Sequence, residues 1–408
     1  MNRKLIPLLI TLTLLTGIST NLFAASFFGA NVGGRLNYST NTESEKYDPE
    51  LKLEAFIESQ LNYSENLWSH FDFSIKTSDF LNVGLFTATD AKFKIDEISI
   101  IHKSRIEASA NYFSAYMGTY DPVGSDIFFQ RYFATQPIAS KVTESWLGQA
   151  GSILYPHFGI GISDVIRFYE KPLALGIYAY VNNQDDHYYV FNADLRFAGV
   201  YRYFSFDIAG GLGVPLADKY SGEDAIVVIE KVYWHAGTTL LIGNNYTQSL
   251  YIQAGIFNAS FTKGDSSIIT SPDDMYLLIE PRFKIKNTHM NITVYSLPQQ
   301  TADQFLFIND TLGANINIYN DSISWGSKRV SLGTNFALSF PGKNFLDLKD
   351  PKMLIASMDS FNIDMTPYIS TNLLSGEIHL QATVKFMEFF KNSWYNGLTI
   401  DLGYRATL

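Results

Sequence analysis

Alternation with a period of two, carried by about eighteen segments between Ala30 and the carboxyl terminus, constrains this chain more than any other feature of its sequence. It is plainest from Leu398 to Leu408, where Leu398, Ile400, Leu402, Tyr404, Ala406 and Leu408 interleave with Thr399, Asp401, Gly403, Arg405 and Thr407. Successive side chains on a strand point to opposite faces, so such a segment has one oily face and one wet face. A tilted strand of about ten residues is also long enough to cross a bilayer.

The same signal recurs along the chain. Leu51, Leu53, Ala55, Ile57, Leu61 and Tyr63 alternate with Lys52, Glu54, Glu58, Gln60 and Asn62, with Phe56 the one apolar residue on the wet phase. A fourth strand holds Ile98 and Ile100 with a bulge expected near Glu97, and Ala110, Tyr112 and Tyr116 mark a fifth. Leu173, Leu175, Ile177, Ala179 and Val181 oppose Ala174, Gly176, Tyr178 and Tyr180; Tyr189, Phe191, Ala193, Leu195 and Phe197 oppose Asn192, Asp194 and Arg196. Connections alternate between short, as at Arg202-Tyr203 and Asn287-Thr288, and long, as at Pro215 to Lys231 and Pro298 to Thr311.

No stretch after the amino-terminal run has the roughly 18 consecutive apolar residues of a membrane helix. In hydrocarbon only helices and closed barrels satisfy every backbone polar group, which leaves the barrel. The expected fold is all-β: a transmembrane antiparallel β-barrel of 16 to 18 strands, with short periplasmic turns, long extracellular loops and both termini in the periplasm. A secreted β-sandwich or solenoid is disfavoured, because no fixed repeat appears and the one-sided strands are too many for one small core. The 31 Phe, 25 Tyr and 28 Gly against 13 Pro suit strands and tight turns. Tyr112 and Tyr116, Tyr188 and Tyr189, Tyr233 and Trp234, and Trp394 and Tyr395 read as girdles at the two interfaces.

Arg3 and Lys4 precede an apolar run from Leu5 to Ile18 and a small-residue site at Ala24, so residues 1–24 read as a signal peptide and 25–408 as one barrel domain in the bacterial outer membrane. With no cysteine there is no disulfide framework or thiolate metal site, and a net charge of -10 argues against nucleic acid as a partner. No cofactor or metal site is expected. Nor is an enzyme: the seven histidines show no partner spacing, and neither a Gly-x-Ser-x-Gly turn nor a His-Glu-x-x-His pair occurs.

The longest connection, Thr119 to about Gln149, is too aromatic for a solvated loop, and the barrel interior is its nearest shelter. With its signal peptide, strand count, alternating loops, terminal strand and long third loop, the chain resembles the bacterial general porins, although Leu408 stands where that family usually ends in Phe. The resemblance implies a loop folded into the pore, with Asp121, Asp126, Arg131, Lys141 and Glu144 at the constriction, and passive diffusion of small polar solutes. Arg35, Glu54, Glu58, Asp72, Asp194, Arg196, Glu280, Arg282 and Arg405 are expected to line the lumen.

Tyr178, Tyr180, Tyr251, Tyr295 and Tyr368 share the inward phase, which keeps open a substrate-specific transporter that stacks a sugar or a hydrophobic solute on such rings. A surface adhesin using the long loops is a further alternative. The expected partners are outer-membrane lipids and, through residues 398–408, the barrel-assembly machinery; an apolar wall would serve equally as the interface of a homotrimer.

Overall fold

Strands that are oily on one face and wet on the other bury nothing by themselves, and an open edge in lipid leaves backbone groups unpaired. The chain resolves both problems by closing on itself. The structure is a computed structural model that describes residues 27–40, 47–79, 81, 91–137, 142, 157–183, 188–218, 231–244, 247–262, 268–269, 274–297, 305–308, 311–326, 328–340, 361–391 and 395–407. The expected signal peptide lies outside them.

Eighteen strands form the wall. They are β1 (Phe27–Thr40), β2 (Pro49–Ser64), β3 (Leu67–Lys76), β4 (Lys92–Ile106), β5 (Ser109–Tyr120), β6 (His157–Phe168), β7 (Leu173–Asn182), β8 (Tyr188–Tyr201) and β9 (Phe204–Asp218). The second half comprises β10 (Lys231–Gly243), β11 (Gln248–Thr262), β12 (Met275–Ile285), β13 (Thr288–Ser296), β14 (Leu312–Trp325), β15 (Lys328–Phe340), β16 (Asn362–Leu373), β17 (Gly376–Lys385) and β18 (Leu398–Thr407). A two-residue bridge, Ile268–Ile269, adds to the end of β11. Each strand pairs antiparallel with its sequence neighbour, and β1 pairs with β18 from Asn31 opposite Thr407 to Tyr38 opposite Ile400, which closes the ring. Turns at one end, such as 65–66 and 202–203, are short, and connections at the other end are long.

The two faces separate as the alternation requires. Ile160, Ile177 and Leu195 point outward and are more than half exposed, whereas Tyr178, Asp194 and Arg196, one residue out of phase, are buried inside. The bulge expected near Glu97 is present: Asp72 faces Glu97 and Phe73 faces Ile95, so Asp96 is the extra residue. Phe56, on the wet phase, also points inward, opposite Gly33.

That last pairing is one of a set. Tyr180 faces Gly161, Tyr276 faces Gly255, Tyr295 faces Gly313 and Tyr368 faces Gly333, each directly across a strand pair. A side chain at Gly33, Gly255, Gly313 or Gly333 would collide with the opposing ring, which lies against the wall there, and one at Gly161 would meet the Tyr180 Cβ and the Tyr116 hydroxyl. The girdle reading is corrected for Tyr112, Tyr116 and Tyr233, which are buried in the interior. Tyr189 is half exposed and Trp234 lies tilted beside the exposed Phe261 at 6.2 Å, as an outer girdle requires, while Trp394 and the Tyr188 side chain lie outside the described residues.

Among the described residues, two segments fill part of the interior. One is the helix α1 (Asp126–Phe133), in the connection after β5; the other is Phe305–Ile308, in the connection between β13 and β14. Phe128, Phe129, Tyr132, Phe305 and Ile308 join Tyr112, Tyr116, Tyr178, Tyr251 and Tyr295 in one apolar cluster inside the barrel. A second short helix, α2 (Phe386–Lys391), lies between β17 and β18.

The outward face makes a quantitative demand. Ile177→Arg sets a cation into the apolar band and should cost about 2–4 kcal/mol of stability, measured by reversible urea unfolding from phospholipid vesicles. Ile177→Ala should cost much less.

Candidate functional site

Why the third long connection stays inside follows from its first residues. Pro122 and Gly124 make a turn, with the Ser125 N–H and Oγ both donating to the Pro122 carbonyl. α1 begins at Asp126, carries that acid in its first turn and Arg131 in its last, and ends at Ala134 in the left-handed region (φ 53°). The Gly124 backbone, at φ +72°, runs so close to Thr239 and Gln253 that no side chain fits there.

Buried charges then fasten the segment to the wall. The Arg196 Nε and Nη2 donate to Asp207 at 2.8 and 2.6 Å, and its Nη1 donates to the Asp121 carbonyl at 2.6 Å. Asp207 also accepts the Gly124 N–H at 2.5 Å. The Asp121 carboxylate accepts Arg131, the Tyr132 hydroxyl (2.9 Å) and the Tyr178 hydroxyl (3.1 Å). The Arg196 guanidinium lies 3.6 Å over the Phe128 ring and that of Arg167 4.4 Å over Phe133. α1 is therefore held against β6 to β9, on one side of the lumen.

A second chain of contacts runs from α1 to the strands where the wall closes. Arg131 Nη2 donates to both Glu97 oxygens, at 2.8 and 3.1 Å. Glu97 lies 3.4 Å from His70 Nδ1, His70 Nε2 lies 3.1 Å from Glu58, and Glu58 accepts the Asn31 amide at 3.1 Å. Between α1 and the wall formed by β1–β3 and β16–β18 a cavity of about 950 Å³ remains. Asp126, Gln130 and Arg131 border it on the helix side; Asn31, Glu58, Gln60, His70, Glu377 and Arg405 border it on the wall.

The residues expected at the constriction divide accordingly. Asp126 and Arg131 border the cavity, whereas Asp121 has no exposed surface and acts as the anchor beneath α1. Lys141 and Glu144 lie outside the described residues. Of the expected lumen set, Glu58 and Arg405 reach the cavity, and Arg405 pairs with Glu377 at 2.8 Å. Arg35 faces inward, bridging Glu54 at 2.8 Å and approaching Asp401 at 3.8 Å.

The others are enclosed. Asp72 is buried opposite Glu97, and Asp194 is buried beside His235 (2.9 Å) and the Tyr180 hydroxyl (2.9 Å). Arg196 sits behind α1, and Glu280 bonds Arg282 (2.6 Å) and Thr293 (2.8 Å). The stacking path expected of Tyr178, Tyr180, Tyr251, Tyr295 and Tyr368 is corrected: all five rings are at most 2% exposed. Cross-strand glycines receive Tyr295 and Tyr368, the Tyr180 hydroxyl donates to Asp194, Arg282 covers Tyr251, and Phe307 covers Tyr368 at 5.0 Å.

The sequence marks Glu97 only as a bulge and His70 only as inward-facing, and gives no role to Asp207, because what the three do depends on strands far apart in the chain. Sequence reasoning missed the second inward segment, although Phe305-Leu306-Phe307-Ile308 is an apolar run in a long loop, the signal that marked the third loop. The fastening is testable. Asp207→Ala strands a buried guanidinium and should destabilise the barrel by about 3–5 kcal/mol, read by urea unfolding. Limited proteolysis of the folded variant should then cut within 121–137, where the parent resists.

No family model matches the chain, and no curated protein does either. Among solved structures, OccAB3 of Acinetobacter baumannii aligns at 10% identity with a TM-score of 0.50, over 95% of this chain and 100% of that one. The outer-membrane protein OpdK of Pseudomonas aeruginosa aligns at 10% identity and a TM-score of 0.48, over 94% and 99%. At such identities the likeness is one of fold. A closed ring of eighteen antiparallel strands with an apolar outer wall is the architecture of a bacterial outer-membrane protein, and the fold of this chain is porin-like.

Proposed function

We propose that this barrel is a porin-like channel for the passive diffusion of small polar solutes across the outer membrane. The observation that carries this reading is the polar cavity of about 950 Å³ between α1 and the β1–β3, β16–β18 wall. Its border is mainly acids (Glu58, Asp126, Glu377), bases (Arg131, Arg405) and amides (Asn31, Gln60, Gln130), with Phe56, Trp68 and Ile127 among them, and the polar groups solvate ions and neutral polar molecules. The path is off-centre, since α1 is fastened against β6 to β9, on the opposite side of the interior. No catalytic step or cofactor enters the proposal. The sugar-stacking alternative loses its support with the enclosure of the five tyrosines.

Refolded protein in a planar bilayer should give a discrete, ohmic conductance, and solute flux into liposomes should rise linearly with concentration; saturation would favour a substrate-specific transporter. Deleting Phe128 to Ser140 should raise the single-channel conductance, and an unchanged value would refute α1 as the constriction. Glu58→Gln removes a negative charge from the cavity and should lower the preference for cations over anions, measured as a shift in reversal potential under a salt gradient.

A further inference from the structure

The short-turn rim of the barrel is not uniform in charge. Along the arc from β4 to β15, Arg105, Lys171, Arg202, Lys286, Lys328 and Arg329 are all exposed, and none makes an ion pair with a described residue. Glu107 and Glu170 are the acids of the intervening turns, and the connection 244–247 between β10 and β11 has no charged residue. On the remaining arc, turns 65–66 and 374–375 carry no cation, and Arg405 near them is paired with Glu377. The long connections at the opposite end contain acidic pairs such as Asp185-Asp186 and Asp273-Asp274.

A second feature sets the depth of these cations. The same turns expose Tyr169 (49%), Tyr201 (45%), Tyr203 (55%) and Trp325 (73%), and the Arg202 guanidinium lies 4.9 Å over the Tyr203 ring. Exposed Tyr and Trp at strand ends mark the boundary between hydrocarbon and headgroups. Lys171 and Arg202 lie one or two residues from such a ring and Lys328 is the cross-strand partner of Trp325, so these charges stand level with lipid phosphates.

We propose that this arc is a contact surface for anionic phospholipid headgroups of the leaflet at the short-turn side, and that it fixes the depth of the barrel there. The cation-free arc adjoins Asn372, Ser375 and Gly376, which border the cavity, so the anchoring surface leaves the pore exit clear.

The test uses Trp325 as the reporter. The full barrel is refolded into vesicles of phosphatidylcholine alone or mixed equally with phosphatidylglycerol, with bromine on the acyl chains of one lipid at a time. Quenching is assigned to Trp325 by subtracting the Trp325→Phe protein. Brominated phosphatidylglycerol should quench as though enriched about fivefold around the ring, the equivalent of about 1 kcal/mol for one cation at such a surface. The preference should vanish in a variant with all six cations changed to Gln, whose folding is checked independently by heat-modifiable gel migration and strand circular dichroism. Equal quenching by the two lipids, or a preference that survives the six substitutions, would overturn the proposal. So would loss of the preference with inorganic phosphate but not with chloride at matched ionic strength, since the sites would then bind free phosphate. Conductance plays no part in this measurement, so its outcome is independent of the channel reading.

Discussion

Every backbone N–H and C=O in the wall must find its partner in another strand, because hydrocarbon offers none. The pairing of β1 with β18 satisfies the last two edges and turns a sheet into a barrel. Much else depends on this closure. It forces apolar side chains outward and polar ones inward, inverting the usual order of a soluble protein, and it creates an interior that must be filled by water, by side chains or by inserted chain.

Charge on the inward face is costly unless paired, and the structure turns that cost into rigidity. Arg196 and Asp207 are fully enclosed, and their attraction survives there because their remaining hydrogen-bonding capacity goes to Asp121 and Gly124 at the start of the inserted loop. Removing either partner leaves an uncompensated ion, so the loop and the wall are stabilised together. The aromatic rings that lie across inward glycines serve a related purpose, covering backbone that the small residue would leave open and giving α1 an apolar seat.

The helix packs to the side where its aromatic residues and its buried charges both find partners. Phe128, Phe129 and Tyr132 join Tyr112, Tyr178 and the Arg196 guanidinium, whereas the wall near the closure is mainly polar, with Asn31, Glu58, Gln60 and Arg405 beside Phe56 and Trp68. An apolar surface and a polar one thus face each other across the lumen, and the free space lies against the polar one. Arg131 spans the two by reaching from Asp121 to Glu97.

Periodicity by itself determined the strands, their faces, the alternation of turn lengths and the closing pair, because each is a local consequence of a residue every second position facing lipid. It also marked the third loop as too apolar to be solvated. Which inward residues meet water was decided only by the tertiary structure. Arg196 and the five tyrosines face inward by the same alternation as Glu58 and Arg405, yet the first group is enclosed by α1, by Phe305–Ile308 or by neighbouring wall side chains, and the second borders the cavity. Period fixes the side of the wall a residue faces; only the fold of the inserted segments decides what it meets there.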